Sequence, residues 1–338
     1  MTYYFFSGIN SKQPRNYNIK KRHANMSNIK TVYDHIKRNN IKTILLVTLF
    51  PLIFIALIFL FTWCVAPFDQ ALHTTISVAI PTIIACSVWM LISWAFGDSM
   101  ILNASGAHEI SPSDSKHREI YRAVENIAMA AGLPTPRVYI IEDNSMNAFA
   151  TGRSPKDASV ALTRGIINRL DKLELDGVIA HEMSHIGNRD IRLDMLMITG
   201  IGVTVFAADL ILRTAMYGNH SSDNDDKGNS TIILLMVWLA FTVFNVIITP
   251  ILRMAVSRNR EYAADATGAH ITRNPNALAS ALRKITTDSR VESMDHVKSM
   301  ATMCIANPGA PRELISDLMS THPPVDKRIA RLESMNIK

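Results

Sequence analysis

Residues 171–190 read DKLELDGVIAHEMSHIGNRD, and the way this stretch winds decides where the chain's chemistry sits. Asp171 and Glu174 stand at the spacing of a capping box, so a helix is expected to begin there and to end at Gly187. Within it His181 and His185 lie four positions apart, one turn on the same face, and can turn imidazole nitrogens to one ion. Glu182, beside the first histidine, is placed to take a proton from a water activated by that ion and to return it to a departing amine. The pattern is HExxH, here HEMSH. At this chain's His and Glu frequencies it arises by chance in on the order of one per cent of such sequences. Two ordinary histidines on a helix are the competing reading, and further residues have to decide.

A catalytic zinc usually takes three protein ligands and keeps one position open. Glu261 is the candidate third. It lies in SRNREYAAD, residues 257–265, with Asp265 four residues later on the same helical face. Glu261 would bind the metal, and Asp265 would accept the outer N–H of a ligand histidine and fix its tautomer. Between His185 and Glu261 lie two apolar runs. An even number of crossings returns the chain to the side it left, so the three ligands can meet.

Hydrophobic residues make up 48% of the 338, and the excess is concentrated in runs at residues 43–65, 76–96, 195–217 and 231–252. The first is too long for a signal-peptide core, and Pro67 follows the only small residue, Ala66, that could precede a cleavage site, so it is expected to remain as an anchor. The third run carries Asp209 and Arg213 on one face, which suggests a pairing inside a helix bundle or a partly interfacial helix. An acidic stretch at residues 223–226 separates runs three and four. The net charge of +6 resides largely in an Asn-rich, basic tail, expected to be disordered over residues 1–42. Its charges read as topology and headgroup contacts, with no nucleic-acid partner. The positive-inside rule then puts that tail, residues 97–194 and residues 253–338 on the cytoplasmic side. The three cysteines, Cys64, Cys86 and Cys304, imply no disulfide framework. Met294, Met300 and Met303 read as core or groove lining.

Between the two hairpins, residues 116–131 have helical apolar spacing closed by Gly132 and Pro134, and residues 137–141, 147–151 and 159–163 read as strands. The expected fold is mainly α: a transmembrane hairpin at 43–96, a second hydrophobic hairpin at 195–252, and a catalytic unit in two parts, 97–194 and 253–338, with a small β-sheet.

Five ordered motifs carry a resemblance to a known family: GAHEISP at 106–112, NAFATG at 147–152, HEMSH, REYAAD at 260–265, and THPP at 321–324 with Arg328-Ile329. Over about residues 94–332 the chain resembles the HtpX zinc endopeptidases, relatives of the CAAX prenyl protease. The resemblance implies a zincin-like α+β catalytic domain of the gluzincin type, with one zinc per chain held by His181, His185 and Glu261. It implies Glu182 as general base and Asp265 behind a ligand histidine. Asn147, Ala148 and Phe149 resemble the wall of the substrate cleft, where an extended peptide could add as a strand. His322 and Arg328 resemble residues that stabilise the developing oxyanion. The implied substrates are misfolded or damaged membrane proteins, cleaved at the cytoplasmic face of a bacterial inner membrane under stress. A homo-oligomer is left open. The tail is longer than the family's usual start, which leaves Met26 as an alternative start and a mitochondrial inner membrane as the alternative location. An intramembrane protease is disfavoured because charges flank HEMSH on both sides. A metal-binding scaffold that cleaves nothing has no use for Glu182.

Overall fold

The computed structural model describes residues 37–45, 48–49, 51–60, 62–63, 67–217, 227–248, 259–287 and 323–335. The tail up to residue 36, Cys64, the acidic stretch 223–226, the segment with Met294, Met300, Met303 and Cys304, and His322 lie outside them. Helical stretches at 37–45 and Pro51–Leu60 precede α1 (Phe68–Ala104). There follow β1 (Ala107–Glu109), α2 (Arg118–Ala131), β2 (Arg137–Ile141), β3 (Ala148–Gly152), β4 (Ala158–Thr163), α3 (Arg164–Arg169) and α4 (Lys172–Gly187). The chain continues through α5 (Asp190–Tyr217), α6 (Lys227–Val243) with a π-helical turn at Phe244–Ile248, α7 (Asn259–Thr272), α8 (Pro275–Thr287) and α9 (Val325–Glu333). The fold is mostly helical with one small mixed sheet.

Among the described residues two helices are long and apolar enough to cross a bilayer, α1 and α5, each with a mean hydropathy of 2.1. Along α1, Ile76, Ile80, Ile84, Leu91 and Phe96 are each more than half exposed, a stripe that water would not tolerate and lipid would. The first and fourth runs hold shorter apolar helices, Pro51–Leu60 and Leu234–Val246. The third run, singled out for its charges, passes the length and hydropathy test, and its Arg213 Nε donates to Asp209 Oδ2 at 2.7 Å. Helix α1 extends beyond the second apolar run, which ends at residue 96. Helix α1 continues to Ala104 because Asp98, instead of ending it, is paired with Arg137 and accepts from Ser159 Oγ at 3.2 Å. Of the tail expected to be disordered over residues 1–42, residues 37–42 are helical and bury Asn39, and the rest lies outside the described residues.

The sheet runs β1-β2-β4-β3, with β2 and β4 parallel and the outer pairs antiparallel. Its alternate residues serve two different cores. Val138, Ile140, Ala148, Ala150, Val160 and Leu162 join α2, α4, α8 and α9 in one cluster. Tyr139, Ile141, Phe149 and Ala161 join α1 and α5 in another, together with Phe54 and Phe244. The sheet is therefore the shared wall between the helices α2, α4, α8 and α9 and the two long apolar helices, which is why strands β3 and β4 are buried throughout. Strand β1 and helix α3 were not expected, since three and six residues are too short to show a period.

Helix α4 is packed by α2, α7 and α8. Two glycines allow the approach. A Cβ at Gly177 would stand 3.2 Å from the backbone of Leu278, and one at Gly268 would stand 3.0 Å from the His181 nitrogen. The capping box at Asp171 and Glu174 is present as expected. Glu174 does more than cap: its carboxylate also accepts from Ser280 Oγ and Lys284 Nζ, both at 2.6 Å, fastening α4 to α8. Burial opposes its charge, but Lys284 and Ser280 outweigh that and hold its pKa below the usual range. A depressed pKa in the folded state contributes stability above the unfolded value of about 4.3 and loses it as pH falls through the folded value. Glu174→Ala is expected to lower stability by about 2 kcal/mol at pH 7. Thermal unfolding in detergent should show that gap between parent and variant shrinking as the pH is lowered below about 4.

Candidate metal centre

Helix α4 presents His181 and His185, and α7, crossing it at Gly268, presents Glu261. The two Nε2 atoms are 3.2 Å apart, and each lies 3.6 Å from one oxygen of Glu261. A tetrahedral ion with arms of about 2.1 Å needs ligand atoms roughly 3.4 Å from one another. The two imidazole nitrogens come close to that spacing, and Glu261 approaches them through different oxygens, Oε2 for His181 and Oε1 for His185, so one ligand atom from each of the three residues lies within 4.8 Å of the others. His181 and Glu261 are buried, and His185 is nearly so.

The outer nitrogens explain why a cation fits there. His181 Nδ1 is 3.0 Å from Asp265 Oδ1, and His185 Nδ1 is 2.8 Å from Asp190 Oδ2. Asp190 is hydrogen-bonded to His185 Nδ1 and Asp265 stands beside His181 Nδ1, an arrangement that favours the tautomer in which both Nε2 atoms turn into the shared space beside Glu261. Three electron-rich groups facing one another in a buried place repel unless positive charge lies between them. The same field acts on His185 directly. Burial opposes its protonation, but Glu261 and Asp190 prevail and raise its pKa to about 9. A proton or a metal ion is thus wanted at this point.

Glu182 is 2% exposed, and burial is the main cause that raises its pKa, while His181 and His185 pull it down. Asp265 holds more than His181. Arg328 Nε and Nη2 donate to its two oxygens at 2.8 and 2.7 Å, a bidentate pair with the guanidinium wholly buried. Burial disfavours the Asp265 carboxylate, but Arg328 overrides this and holds its pKa down at about 2. Arg328 Nη2 also lies 3.4 Å from His181 Nε2, too long to claim that lone pair. Its Nη1 is 3.7 Å from Glu261 Oε2, so this nitrogen faces the ligand cluster.

The structure brings His181, Glu182, His185, Glu261, Asp265 and Arg328 together. His322 lies outside the described residues, although α9 starts right after Pro324. Asn147, Ala148 and Phe149 are all buried, with Ala148 and Phe149 committed to opposite cores. Strand β3 stands at the edge of the sheet, with every one of its residues buried. Two further groups escaped the sequence reading. Asp190 matches Asp265 on the other histidine. Arg260, buried, donates to both oxygens of Asp194 at 2.9 Å and lies 3.8 Å from Asp190. Asp190 follows HEMSH by five residues, so its proximity was the available signal; Arg260 stood inside the REYAAD motif without an assigned partner.

Two histidines and a glutamate around one point, with a buried glutamate beside them and apolar helices attached, define a membrane metallopeptidase. The chain belongs to peptidase family M48, whose sequence profile matches residues 114–336, and within it to the HtpX proteases. A protease HtpX homologue of Bacteroides fragilis is 36% identical over 312 residues, covering 88% of this chain and 96% of the relative. One of Thermoanaerobacter pseudethanolicus is 40% identical, covering 91% and 99%, and one of Tropheryma whipplei is 42% identical, covering 72% and 81%. Among solved structures, that of S. mikatae Ste24p aligns with a TM-score of 0.41 at 14% identity, covering 78% of this chain and 59% of that one.

Asp265→Ala removes the bidentate partner of the buried Arg328 guanidinium, and is expected to cost about 3–5 kcal/mol of stability. His185→Ala should instead abolish metal retention with a smaller loss, and melting curves with and without chelator separate the two. Metal must displace the proton that His185 holds up to about pH 9. Affinity measured by chelator competition should therefore rise by about tenfold per pH unit below that value.

Proposed function

We propose that this chain is a zinc endopeptidase that cleaves misfolded or damaged membrane proteins at the cytoplasmic face of a bacterial inner membrane, as part of quality control under stress. The observation that carries it is the convergence of His181 Nε2, His185 Nε2 and Glu261, with the buried Glu182 next in sequence. Nitrogen and carboxylate donors in a set of three match catalytic zinc. When bound, the ion supplies Lewis acidity to a water and to a peptide carbonyl. The chain's own residues do the rest. Asp265 and Asp190 keep the ligand imidazoles in the tautomer that offers Nε2. Glu182, its basicity raised by burial, takes a proton from the attacking water and gives it to the leaving nitrogen. Arg328 Nη1 faces the ligand cluster, and we assign it, with His322, to the developing oxyanion. The substrate would lie extended along the β3 edge near Asn147, pairing through backbone groups.

The location follows from charge and hydropathy together. In this reading all four apolar runs cross, the basic residues before residue 43 stay in the cytoplasm, and α4 and α7 lie on that side. The relatives named above come from bacteria, which favours the inner membrane over its mitochondrial counterpart. Substrates would reach the site along the bilayer to which α1 and α5 tether it.

Glu182→Gln, purified in detergent, should keep its metal and lose about 10²- to 10⁴-fold in cleavage of a casein-like substrate. Equal cleavage by parent and variant would contradict the assignment.

A further inference from the structure

Asn39 lies in the basic stretch that leads into the first apolar run, far from every motif of the active site. Its neighbours Lys37 and Arg38 are exposed, yet Asn39 is 4% exposed. Its Nδ2 is 2.6 Å from Asp190 Oδ1 and 3.1 Å from the carbonyl oxygen of Asn188. Both partners only accept, so chemistry alone requires the NH₂ end of the amide to face them. The other oxygen of Asp190 is the one that holds His185 Nδ1 at 2.8 Å. One carboxylate thus joins an N-terminal asparagine to a candidate metal ligand.

We propose that Asn39 is a positioning residue for the metal centre: it fixes Asp190, which fixes His185. This rests on the metal-centre reading above. Two features make the clamp necessary. Asp190 Oδ1 also lies 3.8 Å from the Arg260 guanidinium, a charge able to rotate the carboxylate away from His185 once the amide is gone. The joint between α4 and α5 also turns at Arg189, whose φ of 58° is a left-handed conformation that a long side chain adopts at a cost. Asn39 binds the residues on either side of it, Asn188 and Asp190, and so holds the joint closed. The family profile begins at residue 114, well after this residue. The stretch ahead of the first apolar run is therefore part of the site, and the region that the profile matches lacks, by itself, a group that sets the angle of one imidazole.

The test uses the full chain in detergent. Metal affinity is measured by chelator competition with zinc, and the geometry by the visible spectrum of the cobalt(II)-substituted protein. Asn39→Ala is expected to bind zinc about tenfold more weakly and to alter the cobalt bands. Asn39→Asp keeps the size and places a second carboxylate against Asp190, and should lose at least as much. In an Asp190→Ala background, Asn39→Ala should cost far less than it does in the parent, because its effect on His185 runs chiefly through that carboxylate; a role in packing alone would make the two losses multiply. Parent and Asn39 variants equal within twofold, or losses that multiply in the double variant, would overturn the proposal. A parent that retains no metal would overturn the metal-centre reading itself, and this inference with it.

Discussion

Two imidazole lone pairs and a carboxylate, held within 3.2–3.6 Å of one another in a buried space, repel unless a cation lies among them. The surrounding helices are arranged to keep that repulsion in place. Each imidazole is pinned from behind by a carboxylate, and each carboxylate is held in turn. Asp265 is held by the fork of Arg328, and Asp190 by Asn39, with Arg260 nearby on Asp194. The charges thus form a layered set with the ligand point at its centre. Removing a layer frees the one inside it, which is why residues that never reach a substrate matter to the chemistry.

The helices can carry this set because α7 lies against α4 at Gly268, where a side chain would meet the backbone of His181. That contact places Glu261 opposite the two histidines although 76 positions separate it from His185 in sequence, counting from 185 to 261. The sheet supplies the other constraint. One face of it packs on α4, and the other on α1 and α5, so the membrane helices and the catalytic helix share a wall of alternating side chains. A site attached this way keeps a fixed relation to the two long apolar helices.

Much of this was readable from residue patterns. The capping pair, the four-residue histidine spacing, the helix closed by Gly132 and the three principal strands all follow from local rules, and the structure has them. Glu261 and Asp265 were legible because the even number of apolar runs before them let the chain return to the histidines and because the REYAAD motif resembles that of the HtpX family. The continuation of α1 past the second apolar run to Ala104 was not legible, because the arginine that pairs with Asp98 is distant in sequence. Asn39 misled for the same reason. Amid lysines and asparagines it reads as solvated, and only the tertiary fold supplies its two acceptors. Arg328 was legible as a site residue, but its bidentate grip on Asp265 was not. Burial of Ala148 and Phe149 on opposite faces likewise needed the two cores to be known.

The central claim is that one metal ion is held by two imidazoles and a carboxylate. X-ray absorption at the zinc edge of the protein purified in detergent tests it most directly. The expected result is one zinc per chain with only nitrogen and oxygen neighbours at about 2.0–2.2 Å, two of them imidazole. A sulfur neighbour at about 2.3 Å, or a shell in which His185→Ala leaves the imidazole count unchanged, would contradict it.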